Sequence, residues 1–470
     1  METKAKHRSR WFGDRRFYAS VFKLIIPVMI QNGITTFVNM LDNIMVGQVG
    51  TLPMSAASIS NQIMMIFNLA VFGATGAIGI FGAQYYGKND KLGVSRCYHL
   101  KVYVGLITSG LGVLILLLFG NPLIKLYMNS GANTTEDIAL TMGYARTYML
   151  IMLIGMPIFA QMSAISSTAR EGGETFLPMV ASVSAVLVNF VGNYTLIFGH
   201  FGAPKLGIAG AAIATVISRY VEFFILFIGT RMNREKFHFY DGFFSKMKVP
   251  GTLVRDVAVK GAPLVVNEVL WSFAIAAIAQ SYSTRGLNAV AAINITHTVQ
   301  SVFMITNMAM GMAISVMVGQ LLGANKTEEA KDTNWKLVVF SVLASACMGI
   351  VMFAFAPLFP KLYNTSEEVR LLAQNLLKIN AVYMPVGAVY NAAYSTLRSG
   401  GKTVITFFFD SVYSCLVNLP VAFCLSRFTR LPVLWIFLIV QGSDIPKAIL
   451  GLYLVKKGVW VQNLVGTDEK

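Results

Sequence analysis

Ser167-Thr-Ala-Arg-Glu-Gly-Gly-Glu-Thr175 reads STAREGGET, and far downstream residues 395–403 read STLRSGGKT. A chain that says nearly the same thing twice is built from two related parts. Further echoes agree. Ala83-Gln-Tyr-Tyr-Gly87 matches Gly319-Gln-Leu-Leu-Gly323, at the offset that also relates Pro27 to Pro263 and Lys125-Leu-Tyr to Lys361-Leu-Tyr. Met156-Pro157 matches Met384-Pro385 at the offset of the opening pair. Locally, each copy reads as a helix stop and then a helix start. Arg170 and Arg398 suit a last turn, where a cation meets the negative end of the helix dipole. Gly172-Gly173 and Gly400-Gly401 permit positive φ for the reversal, and Thr175 and Thr403 can cap the next helix. A gate or lobe contact is the alternative role. Asn133 and Asn364, each three residues before a Glu, are expected helix caps with a closing carboxylate, although both also fit a glycosylation sequon.

The parts are membrane parts. Of 470 residues, 55% are hydrophobic and 13% charged, with a mean hydropathy of +0.61. A soluble domain carries roughly 25% charged residues. Apolar stretches long enough to cross a bilayer recur at 20–47, 53–86, 99–127, 138–169, 177–199, 207–230, 253–283, 288–322, 337–362, 369–397, 404–425 and 432–455. Backbone satisfaction in lipid makes them helices. The expected fold is therefore an all-α integral membrane protein, with twelve transmembrane helices in two pseudo-symmetric six-helix lobes.

Lys and Arg concentrate in the N-terminus, 87–101, 231–256, 324–336 and the tail, which all fall on one side. That side is expected to be cytoplasmic, with both termini on it. The basic stretches separate apolar spans, so the net charge of +16 speaks for topology and against nucleic-acid binding. The expected divisions are a cytoplasmic N-terminal segment 1–16, an N-lobe 17–231, a cytoplasmic linker 232–251, a C-lobe 252–456 and a cytoplasmic tail 457–470. The apolar run after the N-terminus continues past any plausible signal cleavage site, so it reads as a spanning helix. Six helices per half keep both halves in one orientation, a parallel repeat that suits two bundles rocking about a shared cavity.

No motif of soluble-type catalysis is present, and the four cysteines have no metal spacing. An enzyme is not expected, nor a structural metal or a cofactor. Chemistry is sought instead among polar groups inside the spans, where each charge is costly and needs a partner or a function. Arg219 and Glu222, three apart, and Asp444 and Lys447, three apart, read as self-neutralised pairs, aligned by Ser218 and Ser443. Asp42 has no nearby cation in sequence, and its repeat counterpart is Ile278. Glu268, beside Asn267, has Asn32 as its counterpart. A lone buried carboxylate must take up a proton or bind a cation. Asp42 and Glu268 are thus the leading candidates to carry H+ or Na+, with Asn32, Asn267 and Asp410 secondary. Asn189 and Asn193, four apart on one face, can hold a carboxylate, ligate Na+, or simply bond between helices. Gln31, Met304 and Met308 are candidates to line a substrate cavity, because Met surfaces adapt to varied ligands, although ordinary packing also explains a Met-rich helix.

These residues resemble the multidrug and toxic compound extrusion (MATE) transporters, in their bacterial branch. The resemblance is carried by Val38-Asn-Met-Leu-Asp-Asn-Ile-Met-Val-Gly47, GHFGAPKLGIAGAAIAT at 199–215, Val316-Met-Val-Gly-Gln-Leu-Leu-Gly323 and the paired STxRxGGxT phrases. It implies a two-lobed antiporter that exchanges Na+ or H+ for organic cations. It implies a cation site at Asp42, with Asn189 and Thr215 beside it, and a role for Glu268. Asn193 stands where another branch has Asp, and Gly387 or a neighbour stands where some members have a tenth-helix Asp, so the coupling ion stays open between Na+ and H+. The expected partners are small organic cations and membrane lipids, with no nucleic acid, and the chain is expected to be monomeric in the inner (cytoplasmic) membrane. Two rivals remain: a flippase of lipid-linked saccharides, which would need a cationic cavity, and a non-transporting receptor or scaffold.

Overall fold

The computed structural model describes residues 11–126, 135–240, 249–363 and 365–466. Among the described residues twelve long helices follow one another: α1 (Arg15–Gly47), α2 (Thr51–Gly87), α3 (Lys91–Leu126), α4 (Thr135–Glu171), α5 (Phe176–Phe198), α6 (Ile208–Met232), α7 (Gly251–Ser283), α8 (Leu287–Gly323), α9 (Thr327–Phe355), α10 (Glu367–Ser399), α11 (Thr403–Phe428) and α12 (Val433–Lys457). Eleven are long and apolar enough to cross a membrane. The exception is α10. It is long enough, but Glu367, Glu368, Arg370, Lys378 and Arg398 dilute its apolar character. Its buried face, from Val369 through Leu377 and Ala388 to Leu397, still packs on protein. Large apolar side chains such as Leu117, Leu118 and Phe119 face outward, as lipid contact requires.

The helices form two compact units. One holds Ile30–Gly82 and Asp90–Val257, the other Met1–Met29, Ala83–Asn89 and Ala258–Lys470. In the first unit, which we call the N-unit, α4 packs on α3 and α6, and α5 packs on α6. In the second, the C-unit, α10 packs on α8, α9 and the end of α12. The C-unit core joins Val21, Ile25 and Val28 of α1 to Met310, Ile314 and Leu322 of α8, with Leu397 of α10 and Trp460 of the tail.

The repeated Gln-x-x-Gly phrases meet in the C-unit. A Cβ on Gly87 would strike the carbonyl of Gln320, and one on Gly323 would strike the carbonyl of Gln84. Only glycine lets the ends of α2 and α8 cross this closely. The tail closes over the crossing. Gln84 Nε2 donates to Ser399 O (3.1 Å), Leu464 N–H donates to Gln84 Oε1 (2.7 Å), and Lys88 Nζ donates to Val465 O (2.9 Å). Gly400 lies flush against the Trp460 carbonyl, where a side chain would collide.

The capping expectations need correction. Gly173 (φ +83°) and Gly401 (φ +70°) make the reversals, but Thr175 makes no side-chain cap bond, and Thr403 is already inside its helix with Lys402 as N-cap. The cap of α10 is Ser366, whose hydroxyl accepts from Val369 N–H (3.4 Å). Ser366 directly precedes the first helical turn and so meets its free N–H groups. Asn133 and Asn364 lie outside the described residues.

Candidate functional site

Two glycines bring α5 and α6 together. A Cβ on Gly192 would sit 2.9 Å from that of Ala214, and one on Gly210 would sit 2.5 Å from Leu196 O. This close approach sets Asn189 and Asn193 opposite Thr215, with Asp42 of α1 facing them. Asn193 is 1% exposed, and its Nδ2 donates to Asp42 Oδ1 at 2.7 Å. One end of the Asn189 amide lies 2.8 and 3.2 Å from the two Asp42 oxygens. Its other end lies 3.2 Å from Thr215 Oγ1, which itself donates to Ala211 O (3.0 Å). Asn193 Oδ1 is buried with no partner among the described residues. None of the ion pairs among the described residues involves Asp42. The carboxylate is therefore held by two neutral amides, one with a hydroxyl at its far end and the other with its carbonyl oxygen left unsatisfied. Such a site can take a proton on Asp42 or an oxygen-seeking monovalent cation. Among the described residues no cluster of three or more His, Cys, Asp or Glu side chains could hold a metal ion.

The C-unit is built differently. Asp410 is not a lone carboxylate, because Lys447 Nζ donates to its Oδ1 at 2.7 Å and Asn267 Nδ2 donates to its Oδ2 at 3.1 Å. This corrects the reading of Asp444 and Lys447 as a pair. Asp444 accepts from Asn418 Nδ2 (2.8 Å), while Lys447 turns to α11. Backbone geometry is the reason. The helix breaks at Ser443, and Asp410 rides on a π-helical turn, Phe408–Val412, with another after it at Ser414–Asn418. Glu268 also has company. It interacts with Tyr394 and with the charge of Arg398. Arg170 likewise reaches back to the first helix of its half, donating to Gln31 Oε1 at 2.9 Å. Both motif arginines thus serve interior polar groups on α1 and α7 as well as a helix end. Arg219 lies over the ring of Phe159 (4.5 Å), and Glu222 feels both Arg219 and Arg170.

Met304 lines a C-unit cavity with Asn307, Asn380, Tyr383, Gln441 and Asp444. Met308 is 61% exposed and is not among the residues lining that cavity. Asn32 is half-buried, next to Gln31. One pair escaped the sequence reading. Lys101 Nζ meets Glu171 Oε1 at 2.5 Å, with both side chains nearly sealed from solvent, and the Glu171 carboxylate rests on Gly79 and Gly82. The signal in the sequence was Glu171 inside STAREGGET, where the second copy has Ser399.

Comparison with known proteins bears on all of this. The sequence model of the MatE family matches residues 27–195 and 263–424, once in each half. A probable multidrug resistance protein, NorM of Thermotoga maritima, is 24% identical over 450 residues, covering 96% of this chain and 94% of the relative. A second, YoeA of Bacillus subtilis, is 26% identical over 438 residues, covering 89% of each. Among solved structures, the bent form of the Vibrio cholerae MATE transporter VcmN superposes with a TM-score of 0.84 at 19% identity, covering 94% of this chain and 97% of that one. A MOP-superfamily transporter from Pyrococcus furiosus gives 0.83 at 18% identity, covering 97% and 98%.

Proposed function

The chain belongs to the MatE family, and from that premise we propose that it is a secondary antiporter that exports organic cations across the cytoplasmic membrane in exchange for Na+ or H+. The names of its relatives as multidrug resistance proteins support the substrate class. The observation that carries the coupling is Asp42, held by Asn189 and Asn193 with no ion-pair partner among the described residues. Asn189, Asn193, Thr215 and Asp42 form the coupling site, while Glu268 and the Gln31–Arg170 pair act in support.

The geometry suggests how the site changes state. Asn189 spans Asp42 and Thr215 with an amide that offers donors at one end and an acceptor at the other. When Asp42 is charged, the Asn189 Nδ2 end faces it. When Asp42 is protonated, or a cation sits on it, the carbonyl end faces it and Nδ2 donates to Thr215 Oγ1 (3.2 Å). In that orientation the Asn189 carbonyl and the Asp42 carboxylate together offer oxygen ligands, while Asn193 Nδ2 stays on Asp42 Oδ1. Ion binding thereby rewires contacts between α1, α5 and α6. An ion shifts the transport equilibrium only by its difference in affinity between the two end states. That rewiring is where the difference arises.

The test is reconstitution in liposomes with a fluorescent lipophilic cation, under Na+ and H+ gradients imposed separately. One gradient is expected to drive counterflow. Counterflow under neither gradient contradicts the antiporter reading.

A further inference from the structure

The chain after α12 turns back on the fold at Gly458 (φ +72°). Trp460 anchors the returning segment. It is buried in the C-unit core, its Nε1 donates to Val455 O (3.1 Å), and its carbonyl lies against Gly400. Leu464 covers Gly401, and Val465 is buried. The main chain of 462–465 then faces the end of α2. Gln84 is fully buried; its Nε2 donates to Gln462 O (3.2 Å) and its Oε1 accepts from Leu464 N–H (2.7 Å). Lys88 Nζ donates to Val465 O (2.9 Å). The helix held in this way is divided: α2 belongs to the N-unit up to Gly82 and to the C-unit from Ala83. The chain after α6 also folds back, but it stays with its own unit. There the buried Phe239 offers its carbonyl to Ser95 Oγ of α3 (3.3 Å).

We infer that the segment 458–466 is a clasp that holds the end of α2 to the C-unit in one state of the transport cycle and releases it in the other. Two bundles can change their arrangement only if a helix divided between them bends or exchanges contacts at one end. The clasp is the fixed side of that exchange. It offers α2 main-chain groups only, two carbonyls and one N–H, and the packing of Trp460, Leu464 and Val465 keeps them in place whether or not α2 is there. Gln84 and Lys88 are the moving side. Each such bond favours the clasped state by about fivefold net, and the three together by about a hundredfold. That is strong enough to decide which state prevails and weak enough for a ligand to reverse through its difference in affinity between the states. The role in the cycle rests on the antiport reading, and the test separates the two.

Lys88→Cys with Gly466→Cys puts a thiol on each side of the clasp, both at exposed positions. In liposomes a reducible bis-methanethiosulfonate cross-linker joins the two. Counterflow of a fluorescent lipophilic cation is expected to stop on joining and to return with reductant, while each single-cysteine variant given the same reagent keeps its rate. Full counterflow with the thiols joined overturns the inference, because a tie that never opens is structural only. Spin labels on the same two cysteines, with the full chain in nanodiscs, give a reading that needs no transport. They are expected to show a short and a longer separation. Gln84→Leu keeps the bulk and loses the amide, and it is expected to raise the ratio of longer to short by about tenfold or more. A single separation that Gln84→Leu leaves unchanged also overturns the inference. Absence of counterflow in the unjoined protein under either gradient contradicts the antiport reading and leaves the spin labels to judge the clasp by themselves.

Discussion

Asp42 and Asp410 occupy similar polar settings in the two units and have opposite electrostatic fates. Asp42 is held by amide donors from α5, and no cation contacts it among the described residues. Asp410 is held by an amide from α7 and neutralised by Lys447. A buried ion pair is self-sufficient, since its charge is settled inside the protein. A buried carboxylate among neutral dipoles is not, and its charge must be settled by something that arrives. On the proposed reading, one carboxylate has a structural duty and the other an exchange duty.

Stability should separate them most strongly. Lys447→Met leaves Asp410 buried without its cation, and losing one partner of such a pair costs about 3–5 kcal/mol. Thermal unfolding in detergent should show a large fall for Lys447→Met. Asp42→Asn should leave the midpoint unchanged or raised, because no ion pair is lost. An equal fall for both would erase the distinction. Next in size is Asn193→Ala. It removes one donor to Asp42 and one orphaned carbonyl, and a hydrogen bond to a charged group is worth about 1.5–3 kcal/mol. Ion affinity, read by competition binding, should rise by about tenfold or more, because the empty carboxylate loses a donor that stabilises its charge. An unchanged affinity would show that Asn193 does not stabilise the charged carboxylate.

The Lys101–Glu171 pair sharpens the comparison from inside the N-unit. It is as buried as the Asp410 pair, yet it lies with Thr168 against the glycines of α2. Glu171→Gln should therefore lower the unfolding midpoint while leaving ion affinity within about twofold, since it does not touch Asp42. A matching fall in ion affinity would mean that Glu171 belongs to the coupling site. The smallest effect is expected at Ser366→Ala, where losing one cap bond costs about 1 kcal/mol. It should move stability slightly and leave ion binding alone.

Much of this architecture was legible in the sequence. Helix count, the division into halves and the family resemblance rested on long apolar runs and repeated phrases, which survive without knowledge of packing. Asp42, Asn189, Asn193 and Thr215 could be named because each is a polar residue in an apolar span, and the fold brings them together. The partner of Lys447 could not be read. Spacing along an ideal helix pairs it with Asp444, and nothing in the periodicity announces a break at Ser443 or π turns around Asp410. The role of the STLRSGGKT copy was hidden for a similar reason. Its Arg398 and Gly400 act on Glu268 and Trp460, contacts that exist only once α7, α10 and the tail are assembled.

The most direct measurement is the number of ions displaced from the purified protein by a saturating organic cation, in wild type and in Asp42→Asn. The account predicts that wild type releases one Na+ or one proton per chain and that Asp42→Asn releases none. Release of the same number by both would contradict it.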